Sequence, residues 1–148
     1  MVEKVTNQFN YFNELAILFD SYRVFYRKEA NLKQAKEFLE ERINNNESVI
    51  YIIRTNSGSI MGFVQLYPLF SSTRMKRLWL LNDLFVAEEH RGKGYSKQLI
   101  EAAKKHCKKT DYCGVMLETE KSNVIANKLY DTTNFEIDNE HNFYFWNS

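Results

Sequence analysis

One segment, residues 78–109, constrains the fold of this chain most, because signals for a strand, a glycine turn and a helix follow each other directly. Leu78 to Val86 is mostly apolar, which is typical of a strand buried in the middle of a sheet. Arg91-Gly92-Lys93-Gly94 follows it, and the residues up to about Lys109 then place apolar side chains at helical spacing. Since strands connected through a helix favour parallel pairing, the segment predicts part of a parallel strand–helix–strand unit.

The rest of the chain alternates between helical and strand signals. Further helices are predicted at about Asn10–Tyr26, Asn31–Asn44 and Asn123–Asp131, and further strands at Met1–Phe9, Val49–Ile53, Ile60–Tyr67, Val115–Glu118, Phe135–Ile137 and Asn142–Trp146. A turn at Asn56-Ser57-Gly58 predicts an antiparallel hairpin, whose second strand Pro68 is expected to end. The order predicts an α/β (α+β) fold, with a mixed sheet covered by helices and one domain over residues 1–148.

Composition narrows the possible functions. Hydrophobic residues make up 44% of the chain, which is enough for a packed core, and the formal net charge is only +1. A nucleic-acid-binding domain usually has a clear basic excess, so we expect no such partner. The N-terminus lacks the pattern of a secretory signal, and the longest apolar runs are too short to cross a membrane. We therefore expect a soluble cytoplasmic protein, with no membrane partner and no metal site.

The glycine turn has the outline of a phosphate cradle. Glycines let the backbone approach a ligand closely, and the N-terminus of the following helix offers unpaired N–H groups and a positive dipole end. Arg91 and Lys93 would add positive charge against a diphosphate. The sequence is neither the Rossmann motif, because position 97 is Lys, nor a P-loop. A turn of this kind can also be only a turn.

Two motifs resemble the GNAT superfamily of acetyl-CoA-dependent N-acetyltransferases. The family's [QR]-x-x-G-x-[GA] motif has its counterpart in Arg91-Gly92-Lys93-Gly94-Tyr95-Ser96, with Ser in place of the final Gly or Ala. The second signature matches Asn123-x-x-Ala126-x-x-Leu129-Tyr130, with Asn134-Phe135 in place of Gly-Phe. The likeness covers nearly the whole chain, and it is greatest to the small branch that includes diamine and polyamine acetyltransferases.

The resemblance implies a fold and a cosubstrate. The GNAT fold has a mixed, mostly antiparallel central sheet of six to seven strands flanked by about four helices. Acetyl-CoA is implied to bind at the following residues: Leu84, Phe85, Val86, Arg91, Gly92, Lys93, Gly94, Tyr95, Ser96, Asn123 and Tyr130. A bulge of the fourth strand near Phe85 would aim a backbone N–H at the developing oxyanion, and the same strand would pair with the pantetheine amides.

Tyr130 is implied to be the general acid. A phenol with a pKa of about 10 is protonated at neutral pH and can donate its proton to the leaving thiolate. Tyr130 could instead only pack its helix onto the core, because Ala126 and Leu129 are suitably spaced for that. Asn123 would hold the cosubstrate or a water, or it could be only a helix N-cap.

The general base has two candidates, Asp83 and Glu118. An alkylammonium must lose a proton before it attacks, and each of these carboxylates lies in an otherwise apolar predicted strand. Asp83 could equally be a structural hydrogen-bonding residue. The polyamine branch has Glu where this chain has Asn82. The match of Asn82 and Asp83 to the amine-binding residues of that branch is therefore incomplete. Tyr22 and Tyr26 are expected to line a groove for the ammonium.

The sequence as a whole predicts acetyl transfer to the primary amine of a small molecule by direct attack in a ternary complex. Three alternatives remain: an acyl-CoA-binding sensor without turnover, a protein N-acetyltransferase, and a nucleic-acid-binding module that uses the basic helix. Cys107 lies on the apolar stripe of its helix, which disfavours an acyl-cysteine intermediate. A homodimer is expected to form through the aromatic segment Asn142–Trp146.

Overall fold

The computed structural model describes residues 1–148, which form two compact units, Met1–Glu118 and Thr119–Ser148. The strands of the first unit are β1 (Val2–Lys4), β2 (Val49–Arg54), β3 (Ile60–Ser71), β4 (Lys76–Val86) and β5 (Val115–Met116). Its helices are α1 (Phe12–Phe25), α2 (Leu32–Asn44) and α3 (Tyr95–Lys109), with a 3-10 turn at Glu88–His90. The second unit contains α4 (Val124–Asp131).

The sheet has the order β1-β2-β3-β4-β5. The first three pairs are antiparallel and β4 pairs with β5 in parallel, across the connection through α3. The predicted α+β fold with a mixed, mostly antiparallel sheet and four helices is therefore confirmed. The prediction of one domain over residues 1–148 stays a prediction.

The prediction of six to seven strands was wrong, because the sheet has five strands. Neither Phe135–Ile137 nor Asn142–Trp146 forms a strand. Phe143 and Trp146 remain 74% and 84% exposed. Aromatic residues favour strands by fitting a pleated, half-buried surface, but that preference does not supply a partner strand to pair with.

Pro68 does not end β3, which continues to Ser71 and pairs Pro68 with Trp79 of β4. The pairing of β2 with β3 stops at Leu66, so Pro68 lies where one side of β3 has no neighbouring strand. A proline is tolerated at such an edge because no ladder hydrogen bond is lost there.

Helices of the first unit cover both faces of the sheet. On one face, Ile50, Ile52 and Phe63 pack with buried residues of α1 and α2. On the other face, His106 of α3 contacts the rings of Tyr51 and Trp79. The long β4 therefore lies between two layers, and its end leads directly to the start of α3.

Candidate active site

The turn between β4 and α3 needs its two glycines for conformational reasons. Gly92 and Gly94 have φ angles of +75° and +79°, in the left-handed region that side chains rarely adopt. A Cβ placed on either glycine would meet no atom within 4 Å. The turn is therefore not packed against other protein atoms, and a ligand has room to approach its backbone.

The N-terminus of α3 has no side-chain cap. Gly94 occupies the capping position and has no side chain to cap the helix, whereas Asn31 caps α2 through its side chain, which accepts from the N–H of Gln34 at 3.1 Å. The first-turn N–H groups of an α-helix have no partner within the helix, which here concerns Tyr95 and Ser96. An uncapped helix start after an open glycine turn suits a diphosphate, since N–H groups and the helix dipole both favour an anion.

Arg91 and Lys93 bind backbone carbonyls of their own segment. Arg91 Nε donates to the Val86 carbonyl at 3.0 Å, and Lys93 Nζ donates to the Glu89 carbonyl at 3.1 Å. The Arg91 guanidinium carbon also lies 5.3 Å from the ring centres of both Phe25 and Phe85. Arg91 thus connects β4 with α1, a role that the sequence pattern did not predict.

The end of β4 has an open edge on the side of β5. The two strands pair only at Trp79 and Leu80 of β4, which lie opposite Val115 and Met116. The predicted cosubstrate-binding residues Leu84, Phe85 and Val86 therefore pair with β3 but have no strand on their other side. An open edge of this kind can accept an extended chain of amides as an additional strand.

The irregularity of β4 lies at Asn82, three positions before the expected site near Phe85. Gln65 pairs with Asp83 and Leu66 pairs with Leu81, which leaves Asn82 as an extra residue on β4. Bulges re-aim side chains and backbone groups. Asn82 is exposed, and its backbone carbonyl accepts from the Tyr22 hydroxyl at 3.4 Å.

Asp83 is a buried carboxylate held by several donors. It is only 3% exposed, and it accepts from Gln65 Nε2 at 2.6 Å and from Asn82 Nδ2 at 3.0 Å. Burial raises the pKa of Asp83, while hydrogen bonds from Gln65, Tyr22 and Asn82 lower it in part. The sequence analysis missed Gln65, although a single amide within the apolar run of β3 was a signal that it partners a buried polar group.

Two tyrosines, Tyr22 and Tyr67, lie near this carboxylate. The Tyr22 ring lies 5.9 Å from Phe85 and 5.0 Å from Tyr26, each in an edge-to-face arrangement. Burial raises the pKa of Tyr67, and the nearby charge of Asp83 raises it further. The structure therefore brings Tyr22, Asn82, Asp83 and Phe85 together, and Tyr26 joins them through Tyr22.

Glu118 does not share this environment. Its side chain is exposed, and it lies beyond β5, which ends at Met116. The reason for considering Glu118 as a base was its expected place in an apolar strand, and that premise was wrong. The apolar run of residues 115–117 predicted a longer strand, but only Val115 and Met116 pair with β4.

Asn123 and Tyr130 belong to the second unit. Asn123 caps α4 through its side chain, which accepts from the Ala126 N–H at 3.1 Å, as the N-cap alternative predicts. The Tyr130 ring lies 5.7 Å from that of Phe135 in an edge-to-face contact. Asn134 has a φ of +59°, which explains why a glycine is an alternative at this position.

No group of three or more His, Cys, Asp or Glu side chains is arranged to hold a metal ion. None of the helices combines the length and the apolar character needed to cross a membrane.

Comparison with known proteins decides the family. The sequence profile described as Acetyltransferase (GNAT) family matches residues 15–135. The chain belongs to the GNAT family of acetyltransferases. The GNAT relative YhfO of Bacillus subtilis, described as an uncharacterized N-acetyltransferase, is 44% identical over 124 residues, which cover 84% of this chain and 83% of YhfO. Enzymes of the GNAT family use acetyl-CoA as cosubstrate, and this chain is an N-acetyltransferase.

Solved structures agree with this assignment. A crystal structure of a probable acetyltransferase has a TM-score of 0.93 at 34% identity, covering 100% of this chain and 97% of that chain. The aminoglycoside acetyltransferase meta-AAC0020 from an uncultured soil metagenomic sample, in complex with trehalose, has a TM-score of 0.84 at 21% identity. That likeness covers 100% of this chain and 95% of the other, and it shows a shared GNAT fold.

Proposed function

We propose that this GNAT enzyme transfers the acetyl group of acetyl-CoA to the primary amine of a small molecule in the cytoplasm, by direct attack in a ternary complex. The observation that carries the proposal is the buried carboxylate of Asp83, held beside Tyr22 at the bulge of β4. A carboxylate in an apolar layer has a cost, which a role in accepting a proton would explain.

Acetyl-CoA, when bound, supplies an acyl group on a thioester. The N–H groups of Tyr95 and Ser96 and the backbone of Gly92 and Gly94 would hold its diphosphate, because they surround an open, uncapped helix start. Arg91 and Lys93 add positive charge next to them. Leu84, Phe85 and Val86 would offer the free edge of β4 to its amides.

The acceptor amine arrives as an ammonium and must lose a proton. We assign to Asp83 the role of accepting this proton. Asp83 itself has almost no contact with solvent, whereas Tyr22 is half-buried and bonded to the same bulge. The proton therefore passes to the Tyr22 hydroxyl while the phenolic proton moves to Asp83. The raised pKa of Asp83 favours this transfer, because a carboxylate with a higher pKa is the stronger base.

Tyr130 is assigned the role of the general acid, and Asn123 that of a cosubstrate contact. Both assignments rest on the match of α4 to the second family signature. An aromatic hydroxyl with a pKa of about 10 can protonate a thiolate at neutral pH. The capping bond of Asn123 uses its side-chain oxygen and leaves the side-chain N–H groups for a ligand.

The aromatic groove favours a cationic acceptor. The rings of Tyr22 and Tyr26 can attract an ammonium by cation–π interaction, and Asn82 and Asp83 add hydrogen-bond acceptors. Diamines and polyamines carry ammonium groups at both ends, and the resemblance of the sequence points to the same class. We therefore place them first among the small amines.

The experiment is a thiol-release assay with acetyl-CoA against diamines, amino-acid derivatives, an aminoglycoside and peptides with a free N-terminus. We expect turnover with the diamines, a loss of about 100-fold or more in Asp83→Asn and a similar loss in Tyr130→Phe. In the wild type, kcat should fall as the pH falls through the raised pKa of Asp83, since only the carboxylate accepts a proton. Thr132→Ser, a small change of an exposed residue after α4, is the control for Tyr130→Phe.

Other outcomes would replace the proposal. Binding of acetyl-CoA without turnover of any amine would favour a sensor. Turnover of the peptides alone would favour a protein N-acetyltransferase.

We also propose a homodimer formed through the exposed aromatic side chains at the C-terminus, where Phe143, Tyr144, Phe145 and Trp146 are 74% to 85% exposed. Light scattering would give the mass of two chains for the wild type. Replacement of these four residues by Ser should give the mass of one chain, and an unchanged mass would place the interface elsewhere.

A further inference from the structure

A cavity lies in the first unit, at the end of α3 opposite the glycine turn. Its volume is about 730 Å³. Val5, Ile50, Trp79 and His106 form its buried floor, and polar residues of the β1, α2 and α3 ends form its rim. Apolar floors with a few polar groups are typical of small-molecule sites of this size. Acetyl transfer as proposed above uses none of these residues.

The charge of the cavity has one sign. Lys4 is the one lining residue with a formal charge, and no Asp or Glu lines the cavity. Burial, followed by the charges of Lys4 and Lys109, lowers the pKa of His106. His106 is therefore a neutral imidazole, with its Nδ1 bonded to the Tyr51 hydroxyl at 3.1 Å. A negatively charged ligand would meet Lys4 without repulsion from a carboxylate.

Ser48 provides a second, independent observation. It lines the cavity, and its buried hydroxyl oxygen has no hydrogen-bond partner. Buried hydroxyl groups are nearly always paired, because an unpaired one keeps the full cost of its desolvation. A ligand atom that accepts a hydrogen bond would satisfy this group once the Ser48 side chain rotates toward the cavity, because the oxygen itself is buried.

The floor is largely apolar, and the Trp79 ring within it is only 4% exposed. The Trp79 ring stacks on Tyr112 with the ring centres 4.7 Å apart and an interplanar angle of 16°. Trp79 Nε1 already donates to the Thr110 hydroxyl at 3.1 Å, so the indole has no free N–H. The indole and the aliphatic floor residues therefore suit an apolar or aromatic body.

We propose that this cavity binds a small aromatic carboxylate, with Lys4 as the counter-charge, Ser48 as a hydrogen-bond donor and the apolar floor around Trp79 beside the ring. The ligand needs one anionic group, because the cavity has one cation. The site is separate from the glycine turn, so ligand binding there does not require acetyl-CoA.

The test uses Trp79 as the reporter. The chain has two tryptophans, and Trp146 is 84% exposed, so Trp146→Phe, which keeps an aromatic ring at that position, leaves Trp79 as the single tryptophan fluorophore. Benzoate and 2-naphthoate are titrated to about 10 mM, a range that detects weak millimolar binding, beside their uncharged amides. We expect saturable fluorescence changes with at least one carboxylate, and at least tenfold weaker binding of the matching amide. Absence of saturation with both carboxylates, or equal binding of the amides, would overturn the proposal.

Two variants separate binding from structure. Lys4→Gln should weaken carboxylate binding about tenfold, whereas Lys33→Gln, an exposed lysine of α2, should leave it unchanged. Ser48→Ala should weaken binding about threefold to tenfold while the Tm stays equal or rises, because the variant removes an unpaired buried hydroxyl. If Ser48→Ala binds the carboxylate as tightly as the parent, the hydroxyl does not face the ligand and the proposed site is wrong.

Discussion

Asp83 is the residue on which the proposed chemistry depends. Its neighbours compensate for its burial with hydrogen bonds from Gln65 and Asn82. The bulge at Asn82 shifts the register of β4, and Asp83 pairs with Gln65 while the Asn82 backbone carbonyl accepts from Tyr22 of α1. A buried group connected by hydrogen bonds to a half-buried tyrosine can exchange a proton with a ligand and remain dry.

The burial of Asp83 predicts a pH dependence of stability. Its pKa is raised above the ordinary value of 3.8, so the folded protein binds this proton more tightly than the unfolded chain does. Its stabilising contribution is complete below the ordinary pKa and is lost as the pH rises through the raised one. Asp83→Asn removes this dependence.

We therefore expect Asp83→Asn to gain stability relative to the wild type as the pH rises, by about 1 kcal/mol or more in urea unfolding between about pH 4 and pH 8. Asp111→Asn, at a side chain that is 91% exposed, is the control and should show no such gain. A difference between Asp83→Asn and the wild type that is constant with pH would mean that this carboxyl titrates normally.

Gly94 provides a test of the cradle. Gly94→Ala forces a residue with a side chain into the left-handed region, at a cost of about 1 kcal/mol. It also places a methyl group where the diphosphate is proposed to contact the protein backbone. Acetyl-CoA affinity in calorimetry should fall at least tenfold. Gly114→Ala is the matched control, because a Cβ there also meets no atom within 4 Å and its φ is not positive. Equal affinities of the two variants would argue against the cradle.

At the scale of elements, all four α-helices end in the same way without glycine. Arg27, Asn46, Asp111 and Asn134 have φ angles from +54° to +64°. Each is followed by a residue whose N–H donates to a carbonyl five positions earlier, as in the bond from Phe135 to Tyr130 at 3.1 Å. This pattern is the Schellman motif, in which glycine is the usual left-handed residue.

Asn46 is suited to measure the cost of these helix ends. Asn46→Ala should lower the free energy of unfolding by about 1 kcal/mol, because alanine has no compensating polar group in the left-handed region. Asn46→Gly should leave it unchanged or raise it. Thermal unfolding of both variants distinguishes two explanations. If only the backbone conformation matters, Asn46→Ala alone is destabilised. If the loss of the Asn46 side chain matters, Asn46→Ala and Asn46→Gly are destabilised equally.

The elements with a clear local sequence pattern were predicted from the sequence. The apolar run of β4, the glycine turn and the amphipathic α3 are read directly from residue spacing, and so is the hairpin of β2 and β3. The extension of β3 to Ser71, through its pairing with β4, and the true extent of β5 depend on which strands meet. The contact of Arg91 with Phe25 likewise joins segments far apart in the chain, which no local pattern encodes.

The candidate site was predicted less completely than the fold. Motifs identified the glycine turn, and the apolar strand around Asp83 marked that carboxylate as unusual. Gln65 and the position of the bulge at Asn82 were missed, because pairing register is a property of two strands. Glu118 was included for a strand position that it does not have.

For the molecule as a whole, the family profile spans residues 15–135 and thus includes parts of both units. The glycine turn and Asp83 belong to the first unit, and the signature of α4 belongs to the second. The two cysteines are both free, and burial raises the pKa of Cys107, which keeps that thiol protonated. The chain therefore offers no activated thiol at Cys107, which supports the proposed direct transfer over an acetylated Cys107.

The most direct test of this account is an initial-rate study of CoA release in which acetyl-CoA and the preferred amine are varied against each other. Direct attack in a ternary complex predicts double-reciprocal lines that intersect, and a Cys107→Ala variant with the same rates. Parallel lines, together with an acetylated enzyme detected by mass spectrometry in the absence of amine, would mean that the acetyl group passes through a covalent intermediate and would contradict the account.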